Sequence, residues 1–232
     1  MDFIEVNNLT KSYGNHLVLD NMSFTLPKGQ VVGLFGPNGC GKTTLMKILT
    51  GLIHDYKGEV LINGSRPGAE TKAITSYLPE QTFVHDWMRN IDAVDYFNDF
   101  YSDFDRVKAL ELLKKFGITE KQKAKSMSKG MQEKLLLSLA MSREADFYVL
   151  DEPMGGVDPA TRQNIISFIM ENYAEKSTLL ISTHLINDLQ DVFSHALFIG
   201  GGNVLLNDSV ENILKDGNTL DGVFKEVFKN VW

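Results

Sequence analysis

Gly36-Pro37-Asn38-Gly39-Cys40-Gly41-Lys42-Thr43 is the stretch that decides how this 232-residue chain folds. The eight residues fit the pattern GxxxxGK followed by Ser or Thr without a mismatch, and an apolar run at 30–35 leads into them. Ordinary residue frequencies would produce that pattern in only about one chain in a hundred of this length. Its glycines let successive backbone N–H groups turn inward as a nest for an anion. A helix expected over 43–51 and stopped by Gly51 adds its positive dipole end. In that setting Lys42 offers a point charge to a phosphate, and the Thr43 hydroxyl offers a ligand to Mg2+. Cys40 reads as a small filler of the turn.

Two further strand ends belong with the loop. The run at 147–150 passes directly into Asp151-Glu152-Pro153, and the run at 178–182 into Thr183-His184. In a parallel sheet, ligands gather at the carboxyl ends of the strands. Asp151 is therefore expected beside bound Mg2+, Glu152 where it polarises an attacking water, and His184 facing the terminal phosphate. Two adjacent acids after a strand are commonly a solvated turn, and a lone histidine is commonly structural. The phosphate loop upstream is what favours the functional reading.

Between these landmarks the character of the chain alternates. The first 35 residues read as short strands, one alternating at 18–26 and one buried at 30–35. Strands are expected again at 59–62 and 74–78, with Asn63-Gly64 as a turn. From about residue 82 the pattern turns helical, over 91–117 and 129–144. Phe97, Phe100, Tyr101 and Phe104 there share the spacing of one helix face. Another helix starts at Asp158-Pro159, and Leu220, Val223, Phe224, Val227, Phe228 and Val231 mark an amphipathic helix at about 218–232. The expected organisation is one domain over 1–232. Its core spans about 1–81 and 147–215, and a helical subdomain is inserted at about 82–146.

Composition limits the function classes. A formal net charge of -7 opposes a dedicated nucleic-acid binder, whose footprint is a basic face. The single cysteine allows no internal disulfide and suggests a reducing compartment. Met1-Asp2-Phe3-Ile4-Glu5 has no signal-peptide character, and no stretch approaches the ~18 apolar residues of a membrane span. Work at a membrane would therefore require another subunit, without direct insertion of this one.

Taken together, these residues resemble the nucleotide-binding domain of ATP-binding cassette (ABC) transporters, over almost the whole chain. The resemblance implies an α/β fold: a P-loop NTPase core with a mixed, mainly parallel sheet, an N-terminal antiparallel β subdomain and the helical insertion. Tyr13, in Lys11-Ser12-Tyr13-Gly14, matches the aromatic that stacks on adenine. Pro37, Asn38, Gly39, Cys40, Gly41, Lys42, Thr43 and Thr44 then join Gly36 around the phosphates of ATP. Gln81 matches the glutamine that reaches Mg2+ and the attacking water, completing the metal set with Thr43 and Asp151. Asp158, in Gly156-Val157-Asp158-Pro159, matches the acid of a loop that crosses a dimer interface, and His184 matches the switch histidine.

The family's LSGGQ-type signature corresponds to Met127-Ser128-Lys129-Gly130-Met131. Ser128 and Gly130 are retained, whereas Lys129 replaces a glycine and Met131 the glutamine. Signatures of this Ser-Lys-Gly-Met form are similar to those of bacterial exporter ATPases encoded apart from their membrane subunits. The resemblance implies that each signature faces the ATP of a second chain in a head-to-tail dimer, either a homodimer or a pair with a paralogous ATPase. It also implies a separate membrane-spanning subunit on the helical insertion, beginning near Phe83, His85, Trp87 and Met88. The expected function is ATP hydrolysis powering transport, export over import, from the cytoplasmic face of the cell membrane. The competing expectations are a soluble ABC ATPase of translation or repair, and a nucleotide sensor without turnover.

Overall fold

A computed structural model of the chain describes residues 2–80, 84–155, 159–174, 176–215 and 217–229. The chain opens with two strands of 12 residues each, β1 (Asp2–Tyr13) and β2 (His16–Pro27), paired antiparallel. These are longer than the short strands expected. Register shifts interrupt the ladder, and Asn8 and Asn21 adopt positive φ within it, so polar residues that read as strand ends are absorbed as irregularities. β3 (Val31–Phe35) follows and delivers the glycine loop to α1 (Lys42–Leu49). β4 (Lys57–Ile62) joins β1 to complete a three-stranded sheet in the order β2-β1-β4.

A short helix, α2 (Ala69–Ala73), precedes β5 (Thr75–Leu78). The helical segment then holds α3 (Asn90–Phe100), α4 (Arg106–Lys115) and α5 (Lys129–Met141). The single helical period expected at 91–117 is thus two helices. Tyr101 leaves the helical region at the end of α3, and the Asp105 carboxylate restarts the chain by accepting from the Lys108 N–H. Phe97 and Phe104 still meet, 5.6 Å apart, because the chain folds back between them, while Phe100 is 67% exposed. The four aromatics therefore do not share one helix face.

The core resumes with β6 (Phe147–Asp151), α6 (Pro159–Asn172), β7 (Thr178–Ser182) and α7 (Ile186–Leu189). It closes with β8 (His195–Gly200), β9 (Asn203–Ser209), α8 (Val210–Leu214) and α9 (Leu220–Phe228). The central sheet runs β5-β6-β7-β3-β8-β9, parallel throughout except for the β8–β9 pair. The fold is therefore α/β with a mixed, mainly parallel sheet beside an antiparallel one.

Alternation along the strands splits the core between the two faces of this sheet. Tyr148 and Leu150 join the helical segment on one face, and Phe147 and Val149 join α1 and the three-stranded sheet on the other. Burial on both faces explains why β3, β6 and β7 read as continuous apolar runs. Arg143, only 2% exposed, ties the helical segment to the sheet. Its guanidinium donates to the Asp103 carboxylate at 3.0 Å and to the carbonyls of Thr75 and Ala73, and it lies 3.8 Å from the centre of the Tyr101 ring. α9 packs on β8, where Phe198 contacts both Phe224 and Phe228. The apolar face of the tail is thus spent on the protein's own core.

Candidate nucleotide site

Because β3, β5, β6 and β7 are parallel, their carboxyl ends share one edge, and four chain segments leave the sheet there. The segment after β3 is the glycine loop. Gly41 caps α1 with φ +105°, and a Cβ at that position would sit 2.6 Å from Leu19 Cδ2. A Cβ at Gly36 would sit 2.3 Å from the Ile199 carbonyl. Neither position accepts a larger residue without displacing its neighbour. The Lys42 side chain is buried, and its ammonium donates to the carbonyls of Gly36 (2.7 Å) and Pro37 (3.2 Å), curling the loop around itself. Cys40 is buried, and that burial pushes its thiol above the usual range, with Lys42 acting in the opposite direction. The side chain fills the turn and is not poised as a nucleophile.

β6 and β7 supply the acids and their tether. Register sets Asp151 opposite Ser182. The Ser182 hydroxyl donates to Asp151 Oδ1 at 2.6 Å and accepts from the Glu152 N–H at 2.9 Å. Asp151 is only 1% exposed, and its second oxygen, Oδ2, is buried without a hydrogen-bond partner among the described residues. A buried carboxylate oxygen left unpaired is costly unless something outside the chain meets it. Glu152 follows with φ +49°, a backbone conformation L side chains rarely adopt, which turns it out of the strand line. His184 Nδ1 lies 2.9 Å from Glu152 Oε2.

A cavity of ≈ 460 Å³ joins these segments, lined by Val18, Asn38, Gly39, Gly41, Lys42, Thr43, Thr44, Glu80, Asp151 and Glu152. Among the described residues no three Asp, Glu, His or Cys side chains converge as a self-sufficient metal site. Asp151 and Thr43 are hard oxygen donors. That set fits Mg2+, which keeps waters and takes phosphate oxygens to complete its shell.

Other expected positions lie apart from this cavity. Tyr13 is half exposed, with the Lys11 ammonium 4.9 Å from its ring centre; Lys11 is itself held by the Asp55 carboxylate at 3.1 Å. The ring is thus buttressed by a cation and open to a planar partner. Ser128 caps α5 by accepting from the Met131 N–H at 3.3 Å. Lys129 is exposed, 3.8 Å from Glu133, and lines a neighbouring cleft of ≈ 640 Å³ whose far wall is Glu80, Asp151 and Glu152. A Cβ on Gly130 would meet nothing within 4 Å among the described residues. Gln81 and Asp158 lie outside the described residues.

Some residues of this region were not anticipated. Ser182 is the tether of both acids. Glu133 has a buried Oε2 without a partner among the described residues, and desolvation pushes its carboxyl up against the opposing pull of Lys129. Tyr77 has a buried hydroxyl without a partner among the described residues; it resists ionisation, first through burial, then through the charges of Asp151 and Glu80. Glu80 stands two residues past the end of β5, and the strand-end logic applied to Asp151 and His184 points to it as well.

Residues 19–155, from within β2 through both acids, match the family model described as ABC transporter. The chain belongs to the ABC transporter family. This ABC protein is 31% identical over 218 residues to the lantibiotic transport ATP-binding protein SrtF of Streptococcus pyogenes, covering 90% of the chain and 93% of that protein. It is 28% identical over 240 residues to the lipopolysaccharide export system ATP-binding protein LptB of Haemophilus influenzae, covering 99% and 100%. Among solved structures, an ATP-binding subunit of an ABC transporter superposes with a TM-score of 0.86 at 26% identity, covering 97% of this chain and 99% of that one. The P-loop ABC ATPase fold, ATP binding and ATP hydrolysis coupled to transport follow from this membership. Among the described residues no helix of this ATPase is long and apolar enough to cross a membrane.

Proposed function

We propose that the chain hydrolyses Mg-ATP as half of a head-to-tail dimer and drives a separate membrane-spanning subunit, in an exporter, from the cytoplasmic face of a cell membrane. One observation carries the reading: Glu152, tethered by His184, lines one cavity with the phosphate loop and with Asp151, whose second oxygen is unpaired among the described residues. Lys42 exchanges its two loop carbonyls for phosphate oxygens. Thr43 and Asp151 would hold the Mg2+, which when bound neutralises phosphate charge. Glu152 orients the attacking water and accepts its proton, while His184 fixes the carboxylate rotamer. Tyr13 offers its open ring face to adenine.

Two surface features support the partners. Gly130 is not required by packing among the described residues, and Ser128 and Lys129, both exposed, stand with it at the positive dipole end of α5. That fits a device completed by a second chain's phosphate. The second feature is an apolar groove of ≈ 560 Å³ lined by Leu52, Tyr77, Tyr96, Phe97 and Tyr101, with Lys47 and Lys72 at its border. It runs between α1 and α3, with exposed Leu52 and Tyr96 on its rim, and is the proposed seat of the membrane subunit. The helical segment, about 82–146, is proposed to act as the arm that carries this contact, with core residues at about 1–81 and 147–215. Export is favoured by the likeness to a lipopolysaccharide export subunit along its full length.

The test is to purify the chain with the membrane protein that co-purifies from its native host and to measure phosphate release and dimer formation with Mg-ATP. Turnover that requires the pair, with a dimer trapped in Glu152→Gln, is the expected result. No turnover in the assembled complex would sink the enzymatic reading.

A further inference from the structure

Past Thr10, the last β1 residue paired with β4, the tip of the β1–β2 hairpin is a ribbon of two strands. Such a ribbon is marginally stable in water on its own. Tyr13 stands at this tip, half exposed. Two connections run from the tip to the phosphate loop and its helix. Along β2 the chain leads back to Val18 and Leu19, the neighbours that a Cβ at Gly41 would meet. The other connection is a side chain. Lys11 is only 6% exposed, and its ammonium is met by the Asp55 carbonyl, by the Asp55 carboxylate at 3.1 Å and by the Tyr13 ring, 4.9 Å to its centre. Asp55 lies in the segment leaving α1, which is pinned to that helix where the Leu52 and Ile53 N–H groups donate to the Lys47 carbonyl at 2.8 and 3.1 Å. An ion pair with the fully exposed Asp55 carboxylate does not by itself call for a buried ammonium. What burial adds is contact with a face of the ring. Lys11 does not line the phosphate-loop cavity.

We propose that Lys11 is a positioning residue of the base platform: it braces one face of the Tyr13 ring and ties that ring, through Asp55, to the far end of α1. This rests on the reading of Tyr13 as the platform for adenine. The helix that opens at the phosphate loop and ends beside the Asp55 segment then spaces the two ends of the nucleotide. Lys11 acts through the ring and not on the phosphates. Its removal must therefore weaken binding of a ligand with a base and spare a ligand without one.

The experiment measures, by titration calorimetry with Mg2+, the affinity of the purified full-length chain for a non-hydrolysable ATP analogue and for inorganic tripolyphosphate. Wild type, K11M, Y13A and the double variant are compared, and thermal melts verify folding. K11M should bind the analogue about five- to tenfold more weakly, the scale of one cation–π contact, and bind tripolyphosphate as wild type does. Y13A should lose at least as much affinity for the analogue, and adding K11M to Y13A should cost nothing further, because the two residues act as one unit. Should K11M fail to fold, K11Q, uncharged but still able to donate to the Asp55 carbonyl, takes its place in the cycle with the same expected pattern. Equal losses for the analogue and for tripolyphosphate would mean that Lys11 serves the phosphates or the fold at large, and would overturn the proposal. So would additive losses in the double variant. A K11M chain with wild-type affinity for the analogue, beside a weakened Y13A, overturns the Lys11 assignment and leaves the platform reading standing. A Y13A chain that binds the analogue as wild type does overturns the platform reading itself, and the assignment with it.

Discussion

His184 Nδ1 stands 2.9 Å from Oε2 of Glu152, joining the ends of two adjacent parallel strands across 32 positions of sequence. The contact immobilises a carboxylate whose backbone is already held at φ +49° and whose N–H is anchored on Ser182. Orienting a single proton acceptor with a strained backbone, a serine and an imidazole is a heavy investment for a surface acid. It makes sense where the position of that oxygen sets a reaction rate.

Removing the acceptor should therefore separate chemistry from binding. Glu152→Gln is expected to lower kcat by at least about a hundredfold, the usual scale of a lost general base, and to leave ATP affinity little changed. His184→Ala should reduce kcat by less, since Glu152 remains but explores more rotamers. Phosphate release and fluorescent nucleotide binding measure the two quantities, and a Glu152→Gln chain with wild-type turnover would refute the assignment.

The glycine loop yields an ordered series. Gly36→Ala places Cβ against the Ile199 carbonyl, and Gly41→Ala adds a Leu19 clash to φ +105°. Gly39→Ala meets no atom within 4 Å and has only its φ of +81° to contend with. The last should destabilise by about 1–2 kcal/mol, the cost of the left-handed region for an L-residue, and the first two by more. Chemical denaturation ranks them, and an order with Gly39→Ala as the worst would contradict the packing argument.

Arg143 should be among the costliest side chains to lose outside the site. Truncation leaves the Asp103 carboxylate and the Thr75 and Ala73 carbonyls without their donor in a largely buried setting. Breaking such a pair by removing one partner costs about 3–5 kcal/mol. Arg143→Lys keeps the charge but not the fork and should recover part of the loss. Urea unfolding of the two variants tests this; an Arg143→Lys chain as stable as wild type would refute the role of the fork geometry.

Glu133 gives a pH dependence of defined sign. Burial raises its carboxyl above the ordinary range, so the folded chain holds that proton more tightly than the unfolded one. The associated stability is complete below the unfolded value of about 4.3, and it is lost as pH rises through the raised folded value. Glu133→Gln, which is neutral at every pH, should therefore raise the melting temperature at about pH 7 and have a smaller effect near pH 4. Melting curves at both values check this, and a larger gain at the acidic end would reverse the sign.

Much of this protein is legible in one dimension. β3, β6 and β7 are apolar runs because both faces of the central sheet are covered, so their positions and the acids and histidine after them can be read directly. Local signals were less dependable where tertiary contacts override them. The aromatic period across 97–104 continues through a helix break because Phe104 returns to Phe97 through space. β8 and β9 went unread, although they flank β3 and extend the sheet. Glu80 escaped notice because the residue beside it carried the family pattern.

By itself the sequence determined the phosphate loop, the strand-end acids and the order of β and α segments that makes a parallel sheet. These depend on residue type and spacing along the chain, which local backbone chemistry reads. Only the tertiary structure decided that Ser182 tethers Asp151, that one Asp151 oxygen is left unpaired, that His184 holds Glu152, and that Glu80 shares their cavity. Those facts depend on register between strands distant in sequence and on which charges are stripped of water together, and neither is encoded in any local window.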